Sequence, residues 1–171
     1  PVIQEGQSDS ACLDNAFEFF NTTGRSMPHT AMMLIPQAWG EKYNIGKDLK
    51  GFFEYHAGLM EPWDGPAAVA FSNGKAIGAI LDRNGLRPAR YTITRDGFMV
   101  LASEAGVLDI PSSNVKRKGR LSPGQMIYVD IEKKRVLFDP EIKMNVARQR
   151  PYRRWVEENK ILLDGLFDSV P

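Results

Sequence analysis

The sequence predicts an α+β domain with antiparallel sheets, and three observations carry that prediction. Apolar residues recur at helical spacing over roughly the first 60 positions. The period then changes to short alternating runs separated by Asn73-Gly74, Asn84-Gly85 and Asp96-Gly97, dipeptides that favour the positive φ of hairpin turns. After Pro140 the helical period returns. Helices, a meander and helices again point to segregated layers, whereas a wound parallel sheet alternates strand with helix.

Each element has a local cause. Ser8 or Asp9 can accept from the orphan N–H groups of a first helical turn, and Leu13, Ala16, Phe17 and Phe20 form one stripe before Gly24 stops the helix. Pro28 suits a first helical position ahead of Met32, Met33, Leu34 and Ile35, and Pro36 keeps that helix short. A third helix is expected over 48–60, with Leu49, Phe52, Phe53, His56, Leu59 and Met60 on one face and Pro62 beyond. Strands are expected over 67–71, 76–82, 90–94 and 98–102, where β-branched and aromatic residues gather. Asn84-Gly85-Leu86-Arg87-Pro88 is too long for a two-residue turn and reads as a loop with its own shape. Runs 125–131 and 135–138 suggest a further hairpin around Glu132-Lys133-Lys134, entered through Pro123-Gly124. Helices are expected over 141–148 and 151–163. The change at about Pro140 divides the chain into a domain over 1–140 and a helical extension over 141–171 that leads towards a following domain.

Composition limits the function classes. A chain of 171 residues can bury roughly 70% of its unfolded surface, enough for a core without staples. One cysteine, Cys12, excludes an intramolecular disulfide and a cysteine-based metal site within this chain, and suits a cytoplasmic setting. No apolar run approaches the ~20 residues that cross a bilayer, so no membrane role is expected. The net charge of +1 hides an asymmetry: thirteen Lys and Arg against six acids over 114–160 give about +7, leaving about −6 elsewhere. These cations fall on unlike elements, so mutual neutralisation is preferred to a nucleic-acid face.

The usual catalytic motifs are absent. No nucleophile elbow, phosphate loop or His-Glu-x-x-His pair is present. His29 and His56 lack partners at ligand spacing and read as capping or core residues. Cys12 lies inside a helix with no cation beside it in sequence and reads as a buried structural residue.

Longer motifs say more. Ser8-Asp9-Ser10-Ala11-Cys12-Leu13-Asp14-Asn15, Met32-Met33-Leu34-Ile35-Pro36-Gln37-Ala38-Trp39 and Leu59-Met60-Glu61-Pro62-Trp63-Asp64-Gly65-Pro66-Ala67-Ala68 stand in this order. Leu81-Asp82-Arg83-Asn84-Gly85-Leu86-Arg87-Pro88-Ala89-Arg90-Tyr91, Ala102-Ser103-Glu104 and Gly119-Arg120-Leu121-Ser122-Pro123-Gly124 follow. Together they resemble the glutaminase domain of glutamate synthase large subunits, and in part the wider class II glutamine amidotransferases, over roughly residues 7–160.

The resemblance implies an N-terminal nucleophile hydrolase fold, an αββα sandwich of two antiparallel sheets between helices. It implies that an N-terminal cysteine thiolate attacks the side-chain amide of glutamine, with its own α-amino group as base and an Asn side chain and a Gly N–H as oxyanion hole. An Arg holds the α-carboxylate and an Asp holds the α-ammonium, and only the Asp has a counterpart here, Asp9. Residue 1 is Pro, so no catalytic residue is assigned in this chain. The expectation is therefore the C-terminal part of a glutaminase domain, inactive alone and prone to self-association through exposed sheet surface.

The resemblance further implies a parent that makes glutamate from glutamine and 2-oxoglutarate with FMN and an iron–sulfur cluster in other domains; no cofactor or metal site is expected in this chain. Arg83 and Arg87 are expected to fix their loop by bonding carbonyls and Asp82 or Glu104, and Trp39 and Trp63 to be core or boundary aromatics. Arg150-Pro151-Tyr152-Arg153-Arg154-Trp155 resembles the stretch that leads into the family's central domain. A non-enzymatic module of the same fold that binds a small molecule or a partner protein is the alternative reading.

Overall fold

The computed structural model describes residues 2–161. Helix α1, Asp9–Thr22, starts where Ser8 accepts from the Ala11 N–H, and its apolar stripe of Leu13, Ala16, Phe17 and Phe20 leans on the core. Helix α2, Met27–Leu34, has Ser26 as N-cap and Pro28 in its first turn, and is buried along its whole length. Helix α3, Lys47–Ala57, turns Gly51, Phe52, Phe53 and His56 inward. It ends before the expected 60: Gly58 is its C-cap, and the N–H groups of Leu59 and Met60 both turn back on the His56 carbonyl, leaving Leu59 exposed.

Strands β1, Ala68–Ser72, and β2, Ala76–Leu81, form the hairpin expected at Asn73-Gly74, where Gly74 has φ 80°. Strands β3, Arg90–Thr94, and β4, Met99–Ala102, form the one at Asp96-Gly97. Strand β5 is Val115–Arg120. Strands β6, Met126–Asp130, and β7, Arg135–Phe138, close the third hairpin through Lys134, whose φ is 52°. The antiparallel strands make two sheets, in the orders β1-β2-β6-β7 and β4-β3-β5. Asn84-Gly85 closes no hairpin: its loop carries the chain from β2 in one sheet to β3 in the other.

Strand β5 has no counterpart among the expected elements. Its Lys-Arg-Lys-Gly-Arg run lacks the alternation of a half-buried strand because it is a sheet edge, where charge is tolerated and blocks further pairing.

Helix α4, Asp139–Ala147, and helix α5, Tyr152–Asn159, complete the described chain. Positions 162 and 163 of the last expected helix lie outside the described residues.

Strand β2 shows how the layers stack. Ala76 and Ile80 face a core built with Met32, Ile35, Phe52, Met126, Ile142 and Tyr152, while Ala79 and Leu81 face the second sheet through Ala89, Tyr91, Leu121 and Ile127. One helical layer, a four-stranded sheet and a three-stranded sheet thus follow in order. Burying side chains the size of Phe52 or Ile80 contributes roughly 1.5–3 kcal/mol each, so both interfaces hold the strand.

Candidate functional site

Asp9 stands in the first turn of α1, exposed, directly after the N-cap. The Oγ atoms of Ser8 and Ser10 lie 3.2 Å apart. Asn15 donates from its side-chain amide to the carbonyl of Val2 at 3.1 Å and to Oε1 of Gln7 at 3.0 Å, which ties the segment before α1 against the helix. Among the described residues the Asp9 carboxylate has no hydrogen-bond partner, so it is free to take a cationic group from outside.

A second constellation gathers the other motifs. Residues 35–39, Trp63 and the turn 82–84 line a pocket of about 490 Å³. Asp82 organises it: Oδ1 accepts from the Ala67 N–H at 3.1 Å and Oδ2 from the Asn84 N–H at 2.8 Å. Its backbone carbonyl accepts from Gly85 at 3.1 Å and Gly124 at 2.8 Å. The Asx bond to Asn84 is the local preference of an Asp two residues ahead of a turn amide. The backbone N–H of Trp63 reaches the Leu34 carbonyl at 2.8 Å, joining the second and third motifs. On the far side, the buried Lys143 ammonium donates to the Gly124 carbonyl at 2.7 Å and pairs with Asp139 at 2.7 Å.

Asp9 does not line this pocket. Arg83 pairs with Asp64 at 3.0 Å in place of the expected Asp82 or Glu104, because Asp82 is occupied by backbone amides. Arg87 donates to the Pro66 carbonyl at 3.4 Å. Trp39 stacks on Phe53 and Trp63 bonds the Gly65 carbonyl, both half-buried. Cys12 is half-buried, short of the full burial expected, since α1 covers the core from outside. Among the described residues no group of three or more His, Cys, Asp and Glu could hold a metal ion.

Comparison with known proteins agrees with the motif order. The family model described as class-II glutamine amidotransferases matches residues 1–155. The chain belongs to that family.

Among relatives of this amidotransferase chain, the glutamate synthase [NADPH] large chain of Bacillus subtilis is 51% identical over 161 residues, 94% of this chain and 11% of that protein. The ferredoxin-dependent glutamate synthase 2 of Synechocystis is 47% identical over 92% of this chain and 10% of its own length. The glutamate synthase [NADH] of Schizosaccharomyces pombe is 43% identical over 99% of this chain and 8% of its own. The chain thus spans about a tenth of the length of the relatives it matches.

Two features of the amidotransferase chain were out of reach of sequence spacing. The paired histidines His29 and His56 are 27 positions apart and on different helices. Lys143 reads as one more surface cation, and only its i, i+4 relation to Asp139 hints at a pair.

Proposed function

We propose that this chain is a segment of the glutamine-hydrolysing domain of a glutamate synthase, in which Asp9 holds the α-ammonium group of glutamine. The observation that carries the reading is 43–51% identity to three glutamate synthases over at least 92% of the chain. Identity at that level over nearly the whole chain is far more than a shared fold requires. The unpartnered carboxylate of Asp9, set at a helix start that Ser8 caps, supports the assignment.

In this reading the thiolate nucleophile, its α-amino base, the Asn-Gly oxyanion hole and the carboxylate-binding Arg belong to polypeptide ahead of residue 1. The whole protein would release ammonia from glutamine and combine it with 2-oxoglutarate to make glutamate. FMN and an iron–sulfur cluster would sit in its other domains. This chain's residues do not fit a cluster, since Cys12 is its one cysteine.

The layers fit an αββα sandwich, of which a helical layer and two sheets lie within the described residues. We assign 1–140 to the amidotransferase domain proper and 141–171 to a helical segment leading towards the next domain. The exposed edge of β1 and the groove between it and α1 favour self-association of the isolated chain, measurable by light scattering. Single-cysteine usage fits the cytoplasm, and no helix among the described residues is long and apolar enough to cross a membrane.

The role of Asp9 is tested in the parent protein. Asp9→Asn should raise KM for glutamine by roughly ten- to a hundredfold, the loss of one charge-assisted contact, with a smaller change in kcat. An unchanged KM would remove the assignment.

A further inference from the structure

The side-chain amide of Asn15 has two N–H bonds, and both go to the segment ahead of α1. One donates to the Val2 carbonyl at 3.1 Å and the other to Oε1 of Gln7 at 3.0 Å. The same Gln7 oxygen accepts from the Gln4 N–H at 3.4 Å, while the Gln7 N–H donates to the Gln4 carbonyl at 3.4 Å. Gly6, at φ 79°, supplies the positive φ within this turn. One amide group thus grips the chain on both sides of the turn, at residue 2 before it and at residue 7 after it.

Apolar burial does not hold this strap. Val2 and Ile3 are 40% and 48% exposed and belong to neither apolar core. Asn15 stands six residues beyond Asp9, about 9 Å along the helix axis, so the strap runs beside the first turns of α1. Gln7, the gripped residue, is followed at once by Ser8, the N-cap whose Oγ accepts from the Ala11 N–H, and then by Asp9. The path by which the chain enters Ser8 fixes the cap. The cap in turn fixes where the first helical turn begins, and with it the Asp9 carboxylate.

We infer that Asn15 is a positioning residue for the ammonium-binding carboxylate. By clamping residues 2 and 7 against α1, it holds Asp9 at a fixed place relative to the polypeptide that enters at Val2. The inference rests on the glutaminase reading, in which that polypeptide brings the thiolate and the carboxylate-binding Arg. The α-ammonium and the side-chain amide of glutamine belong to one small molecule. The protein groups that hold them must therefore keep their separation to within a fraction of an ångström. Without the clamp, the strap and Asp9 move independently. An Asn15 that served stability alone would affect every substrate alike.

The probe that separates these roles is glutaramate, which has the carboxylate and the side-chain amide of glutamine and lacks the α-ammonium group. Hydrolysis of both compounds is measured in the parent protein. Asp9 recognises glutamine alone, so the ratio of the two kcat/KM values reports ammonium recognition and does not depend on the amount of folded enzyme. Asn15→Leu, close in shape and without donors, should lower that ratio roughly three- to tenfold, chiefly through KM for glutamine. Gln7→Met, which removes one of the two bonds, should lower it less. Added to Asp9→Asn, which itself lowers the ratio, Asn15→Leu should contribute less than about a further twofold, because the group it positions is already gone.

An unchanged ratio in Asn15→Leu, an equal loss for both substrates, or full additivity with Asp9→Asn would each overturn the inference. A ratio lowered by Asp9→Asn and not by Asn15→Leu removes this inference and leaves the Asp9 assignment standing. A ratio that Asp9→Asn leaves unchanged removes both.

Discussion

Nε2 of His29 lies 2.9 Å from Nε2 of His56, and both rings are buried between α2 and α3. His56 Nδ1 is 2.8 Å from the Phe52 carbonyl, an acceptor only, so Nδ1 carries that ring's proton and Nε2 accepts from His29. Each imidazole is thereby neutral with one tautomer. Protonating His56 at Nε2 sets two donors against each other, whereas His29 takes a second proton at Nδ1 and keeps its bond.

The pair makes the fold acid-sensitive. Burial, then His56 and then Arg25, push His29 down to about 4, against a weak opposing bond from Gln149, and burial lowers His56 as well. Tyr55 and Tyr152 also face the pair, and neither supplies a negative charge near neutral pH. Folded values below the ordinary 6.5 mean that the unfolded chain binds protons first. Stability is therefore full above 6.5 and falls between 6.5 and about 4, by on the order of 3 kcal/mol for His29. Urea midpoints across this range should drop more steeply for the parent than for a His29→Gln, His56→Gln variant. Parallel profiles would contradict the linkage.

Lys143 should be as critical as an apolar core residue. It is 5% exposed, pairs with Asp139 and donates to the Gly124 carbonyl, and burial lowers its pKa despite Asp139. Lys143→Met would strand a carbonyl and half of an ion pair, at a cost of about 3 kcal/mol. Calorimetry should show Tm lower by roughly 6–12 °C. An unchanged Tm would show that the contact contributes nothing.

Gly51 marks the closest approach of α3 and α5. A Cβ there would lie 2.6 Å from the Arg153 Cα, so Gly51→Ala forces the helices apart. The alanine gains ~1 kcal/mol of helix propensity and loses about 1–3 kcal/mol to overpacking. Net destabilisation, with faster amide exchange confined to α5, is the expected outcome; a stabilised variant would contradict the contact.

The legible parts of the fold were those with local causes. The caps at Ser8 and Ser26 and the turns at Asn73-Gly74 and Asp96-Gly97 sit where their residue types act on adjacent backbone. Strand β5 was illegible because an edge strand needs no apolar alternation, and its cations read as ordinary surface charge. The loop at Asn84-Gly85 kept its turn chemistry while changing sheets, and no short-range signal reports which sheet a strand joins. Within the site, motif order revealed the family, yet convergence on Asp82 depends on amides from Ala67, Asn84, Gly85 and Gly124 that only the fold brings together.

The glutaminase reading is tested most directly by ammonia release from glutamine. The assay compares this chain with the same chain extended upstream to the first cysteine that can become a mature N-terminus. The account predicts release only from the extended form, lost with Asp9→Ala and absent from the 171-residue chain. Silence in both forms would contradict the glutaminase assignment, and release by the short chain would place the nucleophile within these residues.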